Sequence, residues 1–152
     1  MGKISFKGAE EMSFKIRALN ADMTDISRKM VYSGADAVAN DIRQAIATIP
    51  DNLLNEKQRQ GLKDGLGVAH ITTEDGKTDT RIGFAGYNAY KVGKYKNTGQ
   101  PNAMIARVVA KGVSFRNGEY DFVKIALKEA RKSAQSAMQE VFNEEVEKHM
   151  RG

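Results

Sequence analysis

The chain has 152 residues, with 24 basic and 19 acidic side chains, two histidines, and neither cysteine nor tryptophan. That length suits a single domain, 1–152, because domains commonly run to about 100–150 residues; without cysteine there can be no disulfide scaffold, thiolate zinc site, iron–sulfur cluster or cysteine nucleophile. No stretch approaches the ~18 apolar residues of a membrane span, and Met1 to Phe6 carry a lysine with no apolar run behind it, so no secretory signal is expected.

In chain order, Ile4-Ser5-Phe6 alternates like a short strand, and Gly8 opens a helical stretch with Met12, Ile16 and Leu19 on one face, interrupted at Asn20 and Asp22. Met23, Ile26, Met30, Ala37, Ile42, Ala45 and Ile49, with Val38 widening the stripe, then recur mostly at three- and four-residue steps, which predicts one long helix over roughly 22–48. Asp22 or Thr24 is placed to cap its start, and Pro50 stops it, since a residue before proline is biased out of the α region. Gly34, with Ala35, suggests close approach by another element.

A polar segment anchored by Leu53, Leu54, Leu62 and Leu66 reads as a short helix ending near Gly65 or Gly67. The glycines at 61, 65 and 67 read as turn residues. Val68 to Thr73 and Thr78 to Phe84 are rich in β-branched residues around Asp75-Gly76, the signature of an antiparallel hairpin. Residues 86–102 carry Gly86, Gly93, Gly99 and Pro101 among Tyr87, Tyr90, Tyr95 and several lysines, and read as an extended basic loop or insertion. Met104 to Lys111 fits helix or strand, and Arg116-Asn117-Gly118 is a further turn.

The last element is a long helix from about Asp121 to Lys148, with Phe122, Ile125, Ala126, Ala130, Ala134, Ala137, Met138, Val141 and Val146 as its buried face. These elements make an α+β domain: a long helix in the N-terminal half and a long C-terminal helix, packed on a small antiparallel sheet containing a β-hairpin.

Charge is unevenly distributed. Between Gly86 and Gly118 no acidic residue occurs, while Lys91, Lys94, Lys96, Arg107, Lys111 and Arg116 are all basic. Lysines attract phosphate and tyrosines can stack on bases or anchor a protein interface, so this region is the candidate surface for DNA or for a protein partner. The final helix is polarised: Lys124, Lys128, Arg131 and Lys132 come early, and Glu140, Glu144, Glu145 and Glu147 come late. That order opposes the helix dipole, so local helix stability did not select it, and a subunit interface is the candidate reason.

Reactive chemistry is sparse. His70 and His149 lack the spaced partners of a metal signature such as H-E-x-x-H, no G-x-S-x-G elbow is present, and no phosphate-binding glycine loop follows a strand and opens a helix. The expectation is a protein without catalytic residues, metal or cofactor.

The order of these features resembles the neck, or head–tail joining and tail-completion, family of long-tailed phages, the gene-product-ten-like family of lambdoid phages. The resemblance rests on Ile4 to Met12 (a strand followed by a Lys-Gly-hydrophobic-acidic helix start), on Ala47-Thr48-Ile49-Pro50 closing the long helix, and on the linker Gly61 to Leu66 before the hairpin. Ile105 to Gly112 and Asp121 to Ala126 match the spacing of two later family landmarks. Ala110 stands where the first has an acidic residue, the second lacks its prolines, and 86–99 looks like an insertion.

The resemblance implies a structural virion protein at the head–tail junction, assembled in the host cytoplasm. It would form a homo-oligomeric ring, hexameric by expectation, between a head-closure or connector protein and the tail terminator or tail tube. The opposed halves of the last helix would meet across subunits, and the basic loop would face DNA in the channel or the next ring. A tail terminator capping the tube, or a small non-specific nucleic-acid-binding protein, remains the alternative.

Overall fold

The helical spacing that begins at Met23 does form one helix. In a computed structural model, which describes residues 15, 17–112 and 119–151, α1 spans Met23–Ala47. α2 follows at Glu56–Gly65, then β1 (Leu66–Val68), β2 (Thr72–Glu74), β3 (Lys77–Asp79), β4 (Ile82–Phe84), a 3-10 turn at Gly93–Tyr95, α3 (Asn102–Lys111) and α4 (Phe122–Arg151). The fold is α+β, with long helices beside two small antiparallel strand pairs. The expected strand at 4–6, the helix start at 8–14 and the turn at 116–118 lie outside the described residues.

Neither expected cap of α1 is made. A helical turn at 17–21 runs into it through Asp22, whose amide bonds back to Ala18 and Leu19 and whose carbonyl accepts from Ile26, so the helix has no free end there to cap. α2 carries a reciprocal capping box instead: Asn55 Oδ1 accepts from the Gln58 amide at 2.8 Å, and the Asn55 amide donates to Gln58 Oε1 at 3.0 Å. Asp121, just before α4, accepts from the Lys124 amide at 3.1 Å and serves as its N-terminal cap.

The hairpin turns at Asp75-Gly76, both with positive φ (51° and 74°), as a two-residue turn requires. Its ladder contains a step that periodicity does not announce. Leu66 pairs with Phe84 and Val68 with Ile82, but Thr72 pairs with Asp79, so the first strand carries one residue more than its partner across 69–71. This is a β-bulge. It shifts the alternation of the first strand, so that Leu66, Val68, Ile71 and Thr73 share the more buried side with Thr78, Thr80, Ile82 and Phe84. His70 is left exposed at the bulge.

One core gathers the C-terminal half of α1 (Ala39, Ile42, Ala45, Ile46), Ile49, Leu54, Leu62, Leu66, the inner face of α3 (Ile105, Ala106, Val109, Ala110) and the start of α4 (Phe122, Ala126). Phe122 is fully buried, edge-on to Phe84 with ring centroids 6.0 Å apart. The residues left open between helix and strand, Met104 to Lys111, are helical, and Gly112 ends α3 at φ 73°.

Beyond the core, α1 and α4 continue as an antiparallel two-helix arm. Gly34 sits where a Cβ would come within 2.9 Å of Met138 Cγ, so the expected close approach at that glycine is made by α4. Within α4 only Phe122, Ala126 and Ala130 are buried; Ala134, Ala137, Met138, Val141 and Val146 are half-buried. Ile125, expected in the buried face, is 41% exposed, because the seam against α1 follows Phe122, Ala126 and Ala130.

Candidate interaction site

The basic segment between β4 and α3 is a closed loop, not an extended one. Tyr87 bridges to Pro101, the Asn88 amide donates to Gln100 O at 2.9 Å, and the Asn102 amide donates to Gly86 O at 3.0 Å, so the two ends are tied together. Its last residue, Asn102, already belongs to α3. Such closure is the mark of an Ω-loop.

Buried amides hold this base to α2. Asn88 Oδ1 accepts from the amides of Tyr90 (2.9 Å) and Gln100 (3.2 Å). Gln100 Oε1 accepts from Gln58 Nε2 at 2.8 Å and from Asn88 Nδ2 at 3.3 Å, and Asn102 Nδ2 donates to Ala85 O at 2.9 Å. Gln58, Asn88 and Asn102 are all buried. They fit because α2 presents Gly61 and Gly65: a Cβ on Gly61 would overlap Asn88 and lie 2.6 Å from Asn102 Oδ1, and one on Gly65 would overlap Ala85 O and lie 2.5 Å from Asn102 Nδ2. The two glycines expected to be turn residues are therefore helical, and their lack of a side chain serves contact.

The loop tip is pinned separately. Tyr95 OH donates to Met104 Sδ on α3 at 3.3 Å, and Lys94 Nζ lies 5.1 Å from the Tyr95 ring centroid, a cation–π contact. Lys91, Lys94 and Lys96 are exposed, as is Tyr87 at 62%. Met104, Arg107 and Lys111 are three and then four residues apart, so they share one face of α3. The Tyr95 contact with Met104 thus places the loop tip at the start of the α3 face that carries Arg107 and Lys111. Arg107 is exposed, whereas Lys111 is paired to Asp121 at 3.1 Å, and Arg116 lies outside the described residues. The Lys124 amide, followed by Lys111, holds the Asp121 carboxyl below its usual range.

On α4, Lys124, Lys128, Arg131, Lys132, Glu140, Glu144 and Glu147 are exposed. Glu145 turns inward to accept from Lys29 of α1 at 3.1 Å, which raises the lysine's pKa, and Glu147 pairs with Arg151. Among the described residues no group of three or more His, Asp or Glu stands where it could hold a metal, and no helix is long and apolar enough to cross a membrane. No family model, curated protein or solved structure matches this chain.

Two polar contacts were not legible in the sequence. Arg59 is buried and spans the end of α1: Nη1 donates to Ile46 O at 2.6 Å and Nη2 to Ile49 O at 2.8 Å. At the far end of the arm, His149 Nδ1 lies 2.8 Å from Glu145 O and Nε2 2.8 Å from Asp22 Oδ2. A carbonyl and a carboxylate only accept, so both bonds form together in the imidazolium alone. Asp22 first, then the Glu145 carbonyl, raises the His149 pKa above its ordinary 6.5.

A group whose folded pKa is raised stabilises the fold fully below its unfolded value and ceases to do so as pH rises through the folded value. The arm end should therefore loosen as pH climbs above about 6.5 through the raised pKa of His149. Backbone hydrogen exchange around Asp22 and His149 should quicken over that window in the native chain. In Asp22→Asn the acceleration should begin at lower pH, and an unchanged profile would remove the His149–Asp22 bond from the account.

Proposed function

We propose that this chain is a structural subunit of a phage head–tail junction, a neck or tail-completion protein that joins the head connector to the tail as a ring. The observation that carries the reading is the succession of elements and landmarks. α1 ends just ahead of Ile49-Pro50, the leucine-bearing linker falls on α2 and leads into the hairpin, Ile105 to Gly112 falls on α3 and its terminating glycine, and Asp121 to Ala126 forms the capped entry to α4. In this reading the role is assembly, in the virion, and the tied-down loop presents Lys91, Lys94 and Lys96 to DNA in the channel or to the adjoining ring.

Light scattering across concentrations, alone and with purified connectors and tail tubes, tests it. A ring-sized mass in any of these supports the reading; a strict monomer that ignores both partners overturns it. Replacing Lys91, Lys94 and Lys96 together by serine should change the melting temperature little, since all three are exposed and only the Lys94 contact with the Tyr95 ring is lost, yet lower the yield of joined, infectious particles. Unchanged infectivity would remove the loop from the junction.

The exposed Lys91, Lys94, Lys96 and Arg107 favour one second reading, a non-specific nucleic-acid-binding module. Under it the native chain binds duplex DNA as a monomer. The triple serine variant then lowers the slope of log affinity against log salt by about 0.9 per lost phosphate contact.

A further inference from the structure

We infer that copies of this chain associate head to tail through α4, the basic first half of one helix seating against the acidic second half of the next. The inference rests on the ring reading above and names the surface that makes the ring. Lys128, Arg131 and Lys132 are exposed and, among the described residues, have no ion pair within the chain; the same holds for Glu140 and Glu144. Lys128 and Lys132 stand four residues apart, as do Glu140 and Glu144, so each half holds like charges where a helix brings them together, offset within the helix only by Glu129, three residues before Lys132, and Lys148, four after Glu144. Opposite charge from outside the molecule relieves both clusters at once. Glu145 and Glu147 are not part of this surface, being used by Lys29 and Arg151.

Apolar area accompanies the basic cluster. Leu127 is 53% exposed and Ile125 lies nearby, while Phe142 lines a shallow groove with Met30, Met138 and Glu140 in the acidic half. The ring reading decides the kind of contact. Twelve residues separate Lys128 from Glu140 and Lys132 from Glu144, which places the clusters about 120° apart around the helix and ~18 Å apart along it. A two-fold pair would match the basic half of each copy with the acidic half of the other once and stop at a dimer. A head-to-tail contact matches a different patch on each side and repeats until it closes.

The test reverses charge. One variant carries Lys128→Glu, Arg131→Glu and Lys132→Glu; a second carries Glu140→Lys and Glu144→Lys; a third carries all five. Mass is measured over a concentration series at low and high salt, alone and on purified connectors and tail tubes, with helicity checked by circular dichroism. The native chain should assemble beyond a dimer, each partial reversal should fall to 16.8 kDa, and the mixture of the two and the five-fold reversal should both reassemble. High salt should weaken the native assembly as the screening length shrinks. Leu127→Ser, at a position 53% exposed, should also weaken it.

A native ring that survives both partial reversals overturns the α4 contact and leaves the ring reading standing. A native assembly that stops at a dimer overturns the head-to-tail geometry, and so does a five-fold reversal that is folded but monomeric. A native chain that is monomeric alone and on both partners fails the ring reading and the inference together.

Discussion

Alanine at Gly61 or Gly65 should destabilise the protein by about 2–4 kcal/mol, although alanine in place of glycine inside a helix ordinarily gains about 1 kcal/mol. The sign inverts because of what lies opposite. At Gly61 the new methyl meets Asn88 and Asn102 Oδ1, and at Gly65 it meets the carbonyl of Ala85 and the amide of Asn102. None of these can yield cheaply. Asn88 and Asn102 are buried and committed to hydrogen bonds that close the loop, and Ala85 O is backbone that already accepts from Asn102. Moving them leaves buried amides without partners, at about 1–3 kcal/mol each.

Gly67→Ala is the control, since nothing lies within 4 Å of its added Cβ; its effect should stay within about 0.5 kcal/mol, as for an open surface site. Urea midpoints with unchanged slope would measure all three. Gly61→Ala matching the native midpoint would mean that α2 and the loop base are not in contact. Hydrogen exchange at Asn88 and Gln100 adds a local reading, because in either variant the loop should open first.

Arg59→Met should cost about 2–5 kcal/mol. The guanidinium answers the carbonyl of Ile46 in the last turn of α1, which also accepts from the Ile49 amide at 3.3 Å, and the carbonyl of Ile49 just beyond the helix. It also pairs with Asp51 at 2.9 Å and Glu56 at 3.3 Å, but those carboxylates are 94% and 87% exposed. Their share is accordingly small, and the carbonyls carry the effect. Asp51→Asn should therefore be nearly neutral. Arg59→Lys should not rescue, because a single ammonium does not reproduce the fork that reaches two carbonyls and two carboxylates together. The same denaturant midpoints decide it: an Arg59→Met loss no larger than that of Asp51→Asn would show that the carbonyls find water instead.

Both predictions rest on polar residues that look unremarkable in the linear order. Glu56 to Gly65 reads as a polar stretch with few leucines, and glycines within it read as breakers. Only the arrival of the loop base across α2, with Gln100 reaching Gln58 from 42 positions away, turns Gly61 and Gly65 into contact points and the loop into a closed one. Asp22 shows the same limit. Its position fits a helix cap, yet its carboxylate joins His149, 127 residues on, because the antiparallel arm brings the two ends of the chain's long helices together.

By itself the sequence determined the length and end of α1, through its apolar spacing and Pro50. It likewise set the hairpin turn at Asp75-Gly76, the helical nature of α4 and the polarity of its charge. Each of these depends on a residue's own backbone preference or on neighbours a few positions away, which linear spacing records. Tertiary structure alone decided the helical state of 104–111, the bulge at 69–71, the exposure of Ile125, the closure of the basic loop and the placing of Arg59 beneath α1. Those outcomes turn on which distant surface each segment meets: a buried polar group must find its partner wherever the fold brings one, and local spacing holds no record of that partner.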